Sequence, residues 1–162
     1  MPKKALFIGR FQPFHLGHLE YIKNILKEHE RLIICIGSSE KKDTLENPFS
    51  KKQRKDMIFG SLKQEKIGIK KIKILFLKDY PDNNEKWFLQ LKQKTDDFDI
   101  YFAGENELTK KILKEHGYTV RSVNKRIKGI SATEIRKKIR KNKDWKKYVP
   151  DFVYKYIDKI KD

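Results

Sequence analysis

The 162-residue sequence predicts an α/β fold, a doubly wound parallel sheet of five strands, and three observations carry that prediction. Five short apolar runs recur along the chain, rich in β-branched, leucine or aromatic residues. Segments with helical period lie between them. Several of the runs are apolar throughout rather than alternating, as expected of strands that crossover helices bury on both faces.

Strand one is Ala5–Gly9 (ALFIG), and a helix follows with Leu19, Ile22, Ile25 and Leu26 on one face, ending near His29. Strand two is Leu32–Gly37 (LIICIG), which ends in glycine as the first does. A second helix starts after Ser50, a good N-cap residue, and carries Met57, Ile58 and Leu62. Strand three, Ile72–Leu77, precedes a helix marked by Trp87, Phe88 and Leu91. Strand four, Asp99–Ala103, precedes a helix marked by Leu108, Ile112 and Leu113. Strand five, Tyr118–Val123, is followed by two helical stretches, Ser131–Asn142 and Pro150–Ile160. No linker, repeat or low-complexity block divides the chain, so residues 1–162 read as one domain. Ligands of such sheets sit beyond the carboxyl ends of the strands, where strand order reverses. The loops after Gly9, Gly37, Leu77, Ala103 and Val123 are therefore the places to look for chemistry.

Composition narrows the partners. Lys and Arg number 39 against 22 Asp and Glu, a formal charge of +17. That surplus fits anionic partners, and equally a lysine-biased or heat-adapted surface. The basic residues are spread along the whole chain, which argues against a dedicated nucleic-acid face. The one cysteine, Cys35, lies inside LIICIG and reads as a small core residue, in keeping with a reducing compartment. No apolar run approaches the ~18 residues of a membrane span, so no membrane partner is expected. The opening MPKKALFIGRF reads as a first strand rather than a signal peptide. A cytoplasmic protein is the expectation.

The loop after strand one reads GRFQPFHLGH, Gly9 to His18. The dinucleotide fingerprint GxGxxG is absent there, and a P-loop GxxxxGK[ST] is absent throughout. Instead there are a cation (Arg10), a proline turn and two histidines leading into a helix. Gly17 removes a side chain where a ligand could approach the backbone. A helix N-terminus offers unpaired N–H groups to an anion, and imidazoles can donate to phosphate oxygens or, when protonated, add charge. Zinc normally needs three or more protein ligands. The other histidines, His29 and His116, stand at helix ends without ligand spacing. Phosphate binding is the better reading, with no metal held by the protein.

PFHLGH resembles the HxGH signature of the nucleotidyltransferase superfamily, whose histidines contact nucleoside triphosphate at the end of strand one. ISATEIRKKI, Ile130 to Ile139, resembles that superfamily's ISSTxxR segment, roughly 115 residues further on. Its chemistry reads independently: Ser131, Thr133 and first-turn N–H groups can cap an anion, and Arg136 supplies a planar fork for phosphate. A capped, basic, exposed helix would look the same if it stood alone. Three further stretches resemble the archaeal-type nicotinamide-mononucleotide (NMN) adenylyltransferases. They are IGRFQPFHLGHLE, IGSSEKKDTLENPFSKKQR (Ile36 to Arg54, with NPF before a helix and the arginine within it) and YPDNNEKW (Tyr80 to Trp87). The likeness covers roughly Lys4 to Ile160 and implies the Rossmann-like nucleotidyltransferase fold.

The resemblance implies transfer of AMP from ATP to NMN, giving NAD+ and pyrophosphate. It implies that His15, His18, Arg10 and Arg136 are the catalytic groups, with Lys41 or Lys42 as further cations for the leaving group. It assigns ATP to Gly9, Arg10, Phe11, His15, Gly17, His18, Gly104, Ser131, Thr133 and Arg136. It assigns NMN to Phe11, Ser38, Asn47, Asn84 and Trp87, the indole stacking on the cationic nicotinamide ring; on an amphipathic helix, core packing is the competing role for Trp87. Mg2+ would travel on the ATP phosphates. Homo-oligomers are expected from the family's habit, with Ser131–Asn142 and Pro150–Ile160 as interface candidates. The chain departs from the family in three places. AGENELT, with Glu105, stands where SGNPLV is usual, Ala132 where glycine is common, and Lys41, Lys42 and Asp43 where the loop often carries a histidine. Rival readings are the same chemistry on FMN or phosphopantetheine, a cytidylyl transfer, or a basic nucleic-acid-binding domain without catalysis.

Overall fold

In the computed structural model, residues 4–104, 106–122 and 130–161 are described. Five strands, β1 Lys4–Gly9, β2 Arg31–Ile36, β3 Ile72–Phe76, β4 Ile100–Ala103 and β5 Thr119–Ser122, form one all-parallel sheet in the order β3-β2-β1-β4-β5. Six helices connect and follow them: α1 Leu16–Glu28, α2 Lys51–Gln64, α3 Asn84–Lys94, α4 Glu107–Glu115, α5 Ala132–Arg140 and α6 Asp151–Ile160. The predicted elements are all present, and the differences lie at their ends. Asp99 falls outside β4: its N–H donates to the Lys4 carbonyl and its carboxylate accepts from the Lys4 N–H, closing the strand start. Strand five is described to Ser122, so Val123 lies outside the described residues.

Alternate residues of each strand feed two cores, as a pleated sheet covered on both sides requires. Ala5, Phe7, Ile34 and Ile74 pack with Leu19, Ile22 and Ile25 of α1, Met57 and Ile58 of α2, and Val153 and Ile157 of α6. Leu6, Ile33, Cys35 and Tyr101 pack with Leu91 of α3 and Leu113 of α4 on the other side. The chain therefore winds outward from β1 to β3 and returns across the sheet to β4. Strand order reverses beside β1, which places a topological crevice at the carboxyl ends of β1 and β4. Gly60 of α2 is where the last helix docks: a methyl group there would collide with the Phe152 ring of α6. Among the described residues no helix is long and apolar enough to cross a membrane.

Candidate active site

The two histidines of the opening motif cap α1 with each other. His15 is the N-cap residue, and its Nδ1 accepts from the N–H groups of Gly17 (3.1 Å) and His18 (3.3 Å). His18 Nδ1 accepts in turn from the His15 N–H at 3.1 Å. Histidines thus take the places that Ser and Glu usually hold in a capping box. An accepting Nδ1 carries no proton, so each neutral ring keeps its hydrogen on Nε2. The rings stack with centroids 3.6 Å apart. Phe14 stacks on His18 at 5.6 Å and Phe11 meets it edge-on at 4.9 Å. Burial pushes His15 down to about 4 and, with the neighbouring His15, holds His18 well below the ordinary imidazole value. At neutral pH the pair is uncharged, offering two Nε2–H donors rather than cations.

Packing within the loop sets what two of its residues can do. Gly17 serves the protein before any ligand: a Cβ there would sit 2.9 Å from the His15 ring, so glycine is what lets that ring fold over the helix end. Phe11 is 1% exposed and at φ 56°, so its ring is core and only its backbone can meet a nucleotide. Gly9 lies under that ring, a Cβ there meeting Phe11 at 3.0 Å.

The two motifs distant in sequence meet here. Arg136 Nη1 donates to the Gln12 carbonyl at 2.9 Å, and its Nη2 to Thr133 Oγ1 at 3.4 Å. Arg136 is 6% exposed, so part of the fork that the sequence offered to phosphate is turned inward onto protein acceptors. A buried guanidinium needs acceptors, and the loop carbonyl is the nearest one. Burial and then nearby Arg10 lower its pKa. Ser131 caps α5, its hydroxyl accepting from the Glu134 N–H at 3.1 Å, while Thr133 is exposed. Arg10 is exposed and donates to Asn47 Oδ1 at 3.3 Å. Buried Gln12 exchanges two 2.9 Å hydrogen bonds with the backbone of Phe49, which ties the NPF segment to the first loop.

Beyond β2 and β3 lies a second polar group. Ser38 is nearly buried at φ 47°, and its hydroxyl contacts both Asp79 carboxylate oxygens at 3.0 and 2.9 Å. Lys41 and Lys42 are both exposed, and Lys41 pairs with the same carboxylate at 3.0 Å. Glu40 accepts from the Asp79 N–H. Asp79 carries this group, and only its position just past strand three hinted at it. Asn83, not Asn84, caps α3, accepting from the Lys86 N–H at 3.0 Å. Asn84 is exposed at the first turn, and Trp87 is half-buried against the core that holds Leu77 and Leu91. Gly104 closes β4, 3.5 Å from the Ile8 carbonyl as a Cβ would stand, beside Ala103, whose carbonyl accepts from the Tyr21 hydroxyl at 3.2 Å. Glu105 lies outside the described residues. Among the described residues no group of three or more His, Cys, Asp or Glu could hold a metal ion.

The arrangement can hold a polyphosphate: two neutral imidazole donors, a helix N-terminus, Arg10 and Arg136 near the reversal of strand order, with a separate group of polar side chains beyond β2 and β3. Comparison with known proteins supplies the family. The model of the cytidylyltransferase-like family matches residues 6–138. The nicotinamide-nucleotide adenylyltransferase of Methanococcus aeolicus is 43% identical over 97% of this chain and 89% of its own length. That of Saccharolobus solfataricus is 40% identical over 98% and 91%. Among solved structures, a bifunctional NMN adenylyltransferase/ADP ribose pyrophosphatase from Francisella tularensis, complexed with AMP and a manganese ion, superposes with TM-score 0.83 at 30% identity. The match covers 98% of this chain and 50% of that one, so the chain spans half the bifunctional protein's length. The chain belongs to the cytidylyltransferase-like family and, within it, to the archaeal-type nicotinamide-nucleotide adenylyltransferases.

Proposed function

We infer that the protein transfers AMP from ATP to nicotinamide mononucleotide, forming NAD+ and releasing pyrophosphate. The observation that carries this reading is the meeting of the HLGH and ISATEIR motifs through Arg136 and Gln12, at the reversal of strand order.

An NMN phosphate oxygen attacks the α-phosphorus of ATP, forming the new P–O bond. The bond to the bridging oxygen breaks, and its electron pair leaves with pyrophosphate. The acceptor phosphate, with a second pKa of ~6, is already ionised near neutrality, so no general base is required. Rate then comes from alignment and from stabilising charge as it moves to the leaving group. In this reading the Nε2–H groups of His15 and His18 donate to phosphate oxygens at the reacting phosphorus. Their neutrality suits that role, because the reciprocal cap preorganises both donors and no proton has to be shed before they act. Arg10 meets the leaving pyrophosphate, and Arg136 holds the first loop in place while offering its remaining donors. Gly9, Phe11, Gly17 and Gly104 contribute backbone, and Ser131 and Thr133 the edge of α5. The backbone of Phe11, with Ser38, Asn47, Asn84 and half-buried Trp87, makes the acceptor side.

Mg2+ enters on the triphosphate as part of the substrate. The described carboxylates do not make a cage for it, and Asp79, beside the site, is held by Ser38 and Lys41. The reading includes a cytoplasmic enzyme, working as a homo-oligomer on small molecules without nucleic acid. Incubation of the pure protein with MgATP and, in turn, NMN, nicotinic acid mononucleotide, FMN and phosphopantetheine tests it. NAD+ must form faster than the FMN and phosphopantetheine products; equal or slower NAD+ formation rejects the NMN assignment.

A further inference from the structure

Arg54, in α2, is 0% exposed and donates to six carbonyl oxygens. Its Nε reaches Ser50 (3.2 Å), its Nη1 reaches Arg10 (3.1 Å) and Gly37 (2.9 Å), and its Nη2 reaches Ser38, Ser39 and Lys41 (3.2–3.4 Å). Among the described residues no carboxylate lies within ion-pairing distance of it. Burial, and after it Arg10, pushes the guanidinium down to about 10, which leaves it charged at neutral pH. A permanent cation has thus been buried against carbonyl groups alone, drawn from the loop after β1, the loop after β2 and the cap of α2. Such a charge is costly to bury, and a buried aliphatic residue would serve packing better.

The effect on those loops follows from peptide geometry. In a trans peptide the C=O and the following N–H point in opposite directions. Carbonyls of Arg10, Gly37, Ser39 and Lys41 that point at Arg54 therefore aim the N–H groups of Phe11, Ser38, Glu40 and Lys42 away from it. Among the described residues none accepts from these four N–H groups. Phe11 and Ser38 also sit at φ 56° and 47°, in the left-handed region that strains a residue with a side chain. The strained turns and the free amides occur where Arg54 pulls the backbone, and Ser38 and Phe11 both belong to the acceptor side of the site.

We propose that Arg54 is a positioning residue for the acceptor phosphate: by gathering carbonyls behind the first two loops, it presents their amides as an anion-binding face. The role rests on the NMN reading for the identity of the acceptor, and on the structure alone for the anion face. Concave clusters of backbone N–H groups bind anions in other folds as well.

Two measurements test it, after thermal unfolding has confirmed that each variant is folded. Arg54→Lys keeps the charge, but one ammonium with three donors cannot span six carbonyls. The variant should raise KM for NMN about tenfold or more while KM for ATP changes less than about threefold, as loss of local alignment predicts. Arg54→Met should behave likewise or fail to fold, and Arg54→Lys decides the matter in either case. In 15N spectra of the wild type, the amides of Phe11, Ser38, Glu40 and Lys42 should shift on titration with inorganic phosphate, and in Arg54→Lys they should not. A lower melting temperature with both KM values unchanged, or an equal rise in both, overturns the proposal, since a merely structural role predicts either. Phosphate shifts in a wild type that forms no NAD+ would support Arg54's role and reject the NMN reading. NAD+ formation without those shifts would do the reverse.

Discussion

Replacing His15 by asparagine separates the capping role of this residue from its titration. Asparagine keeps an acceptor for the first-turn N–H groups but cannot take up a proton. In the folded chain burial lowers His15 to about 4 from an ordinary value of 6.5. As the pH falls through 6.5 the unfolded chain binds a proton at this position, while the folded chain resists until about 4. The folded state is therefore progressively disfavoured in acid. For a group shifted this far, linkage gives a loss of about 3 kcal/mol between pH 7 and pH 4. His18, held low as well, acts in the same direction. Urea unfolding of the wild type and His15→Asn, followed by far-UV circular dichroism at several pH values across this window, measures the effect. Carboxylates titrate in both proteins and cancel in the difference. The wild type should lose about 3 kcal/mol relative to the variant on acidification. Stability curves that run parallel down to pH 4 would refute the partly buried, neutral histidine pair and with it the Nε2–H donor assignment.

His18→Ala should remain folded yet lose about 100-fold or more in kcat/KM, the scale of removing a preorganised donor; activity within a few-fold of wild type would count against the donor role. Gly60→Ala places a methyl group against the Phe152 ring and should cost about 1–3 kcal/mol, as overpacking does. Adding Phe152→Leu should recover part of that loss in a thermal melt, and no recovery would mean the α2–α6 contact is not the cause. Cys35 is buried with its thiol pushed up to about 12, so the native protein should resist iodoacetamide at neutral pH and the urea-unfolded chain should react. Rapid alkylation of the folded protein would contradict the packing of β2 in the sheet.

Much of the fold was legible because its signals are local. The apolar runs and helical periods mark every strand and helix to within a few residues, and Ser50 does cap α2 as its place before the run implied. The site was legible as a pair of motifs and not as a set of contacts. HLGH reveals two imidazoles, yet their neutral state depends on reciprocal hydrogen bonds and on the packing of Phe11 and Phe14. ISATEIR supplies a guanidinium, but that it turns inward to Gln12 is a contact across 124 residues that no spacing encodes. Lys41 looked like a free cation until Asp79, an unremarked acid past strand three, paired with it. Gln12 and Arg54 act by binding backbone of other loops, and a backbone acceptor leaves no trace in side-chain pattern. Trp87 packs partly against the core of α3, the competing role that its place on an amphipathic helix suggested.

Phosphorus NMR of a single reaction mixture follows adenylyl transfer to NMN atom by atom. With wild-type protein, MgATP and NMN, the pyrophosphate signal and the dinucleotide diphosphate signal of NAD+ should grow in equal amounts as the ATP and NMN signals decline. His18→Ala should leave the substrates nearly unchanged over the same time. Appearance of ADP and inorganic phosphate instead, or pyrophosphate without an equal amount of NAD+, would rule out adenylyl transfer to NMN.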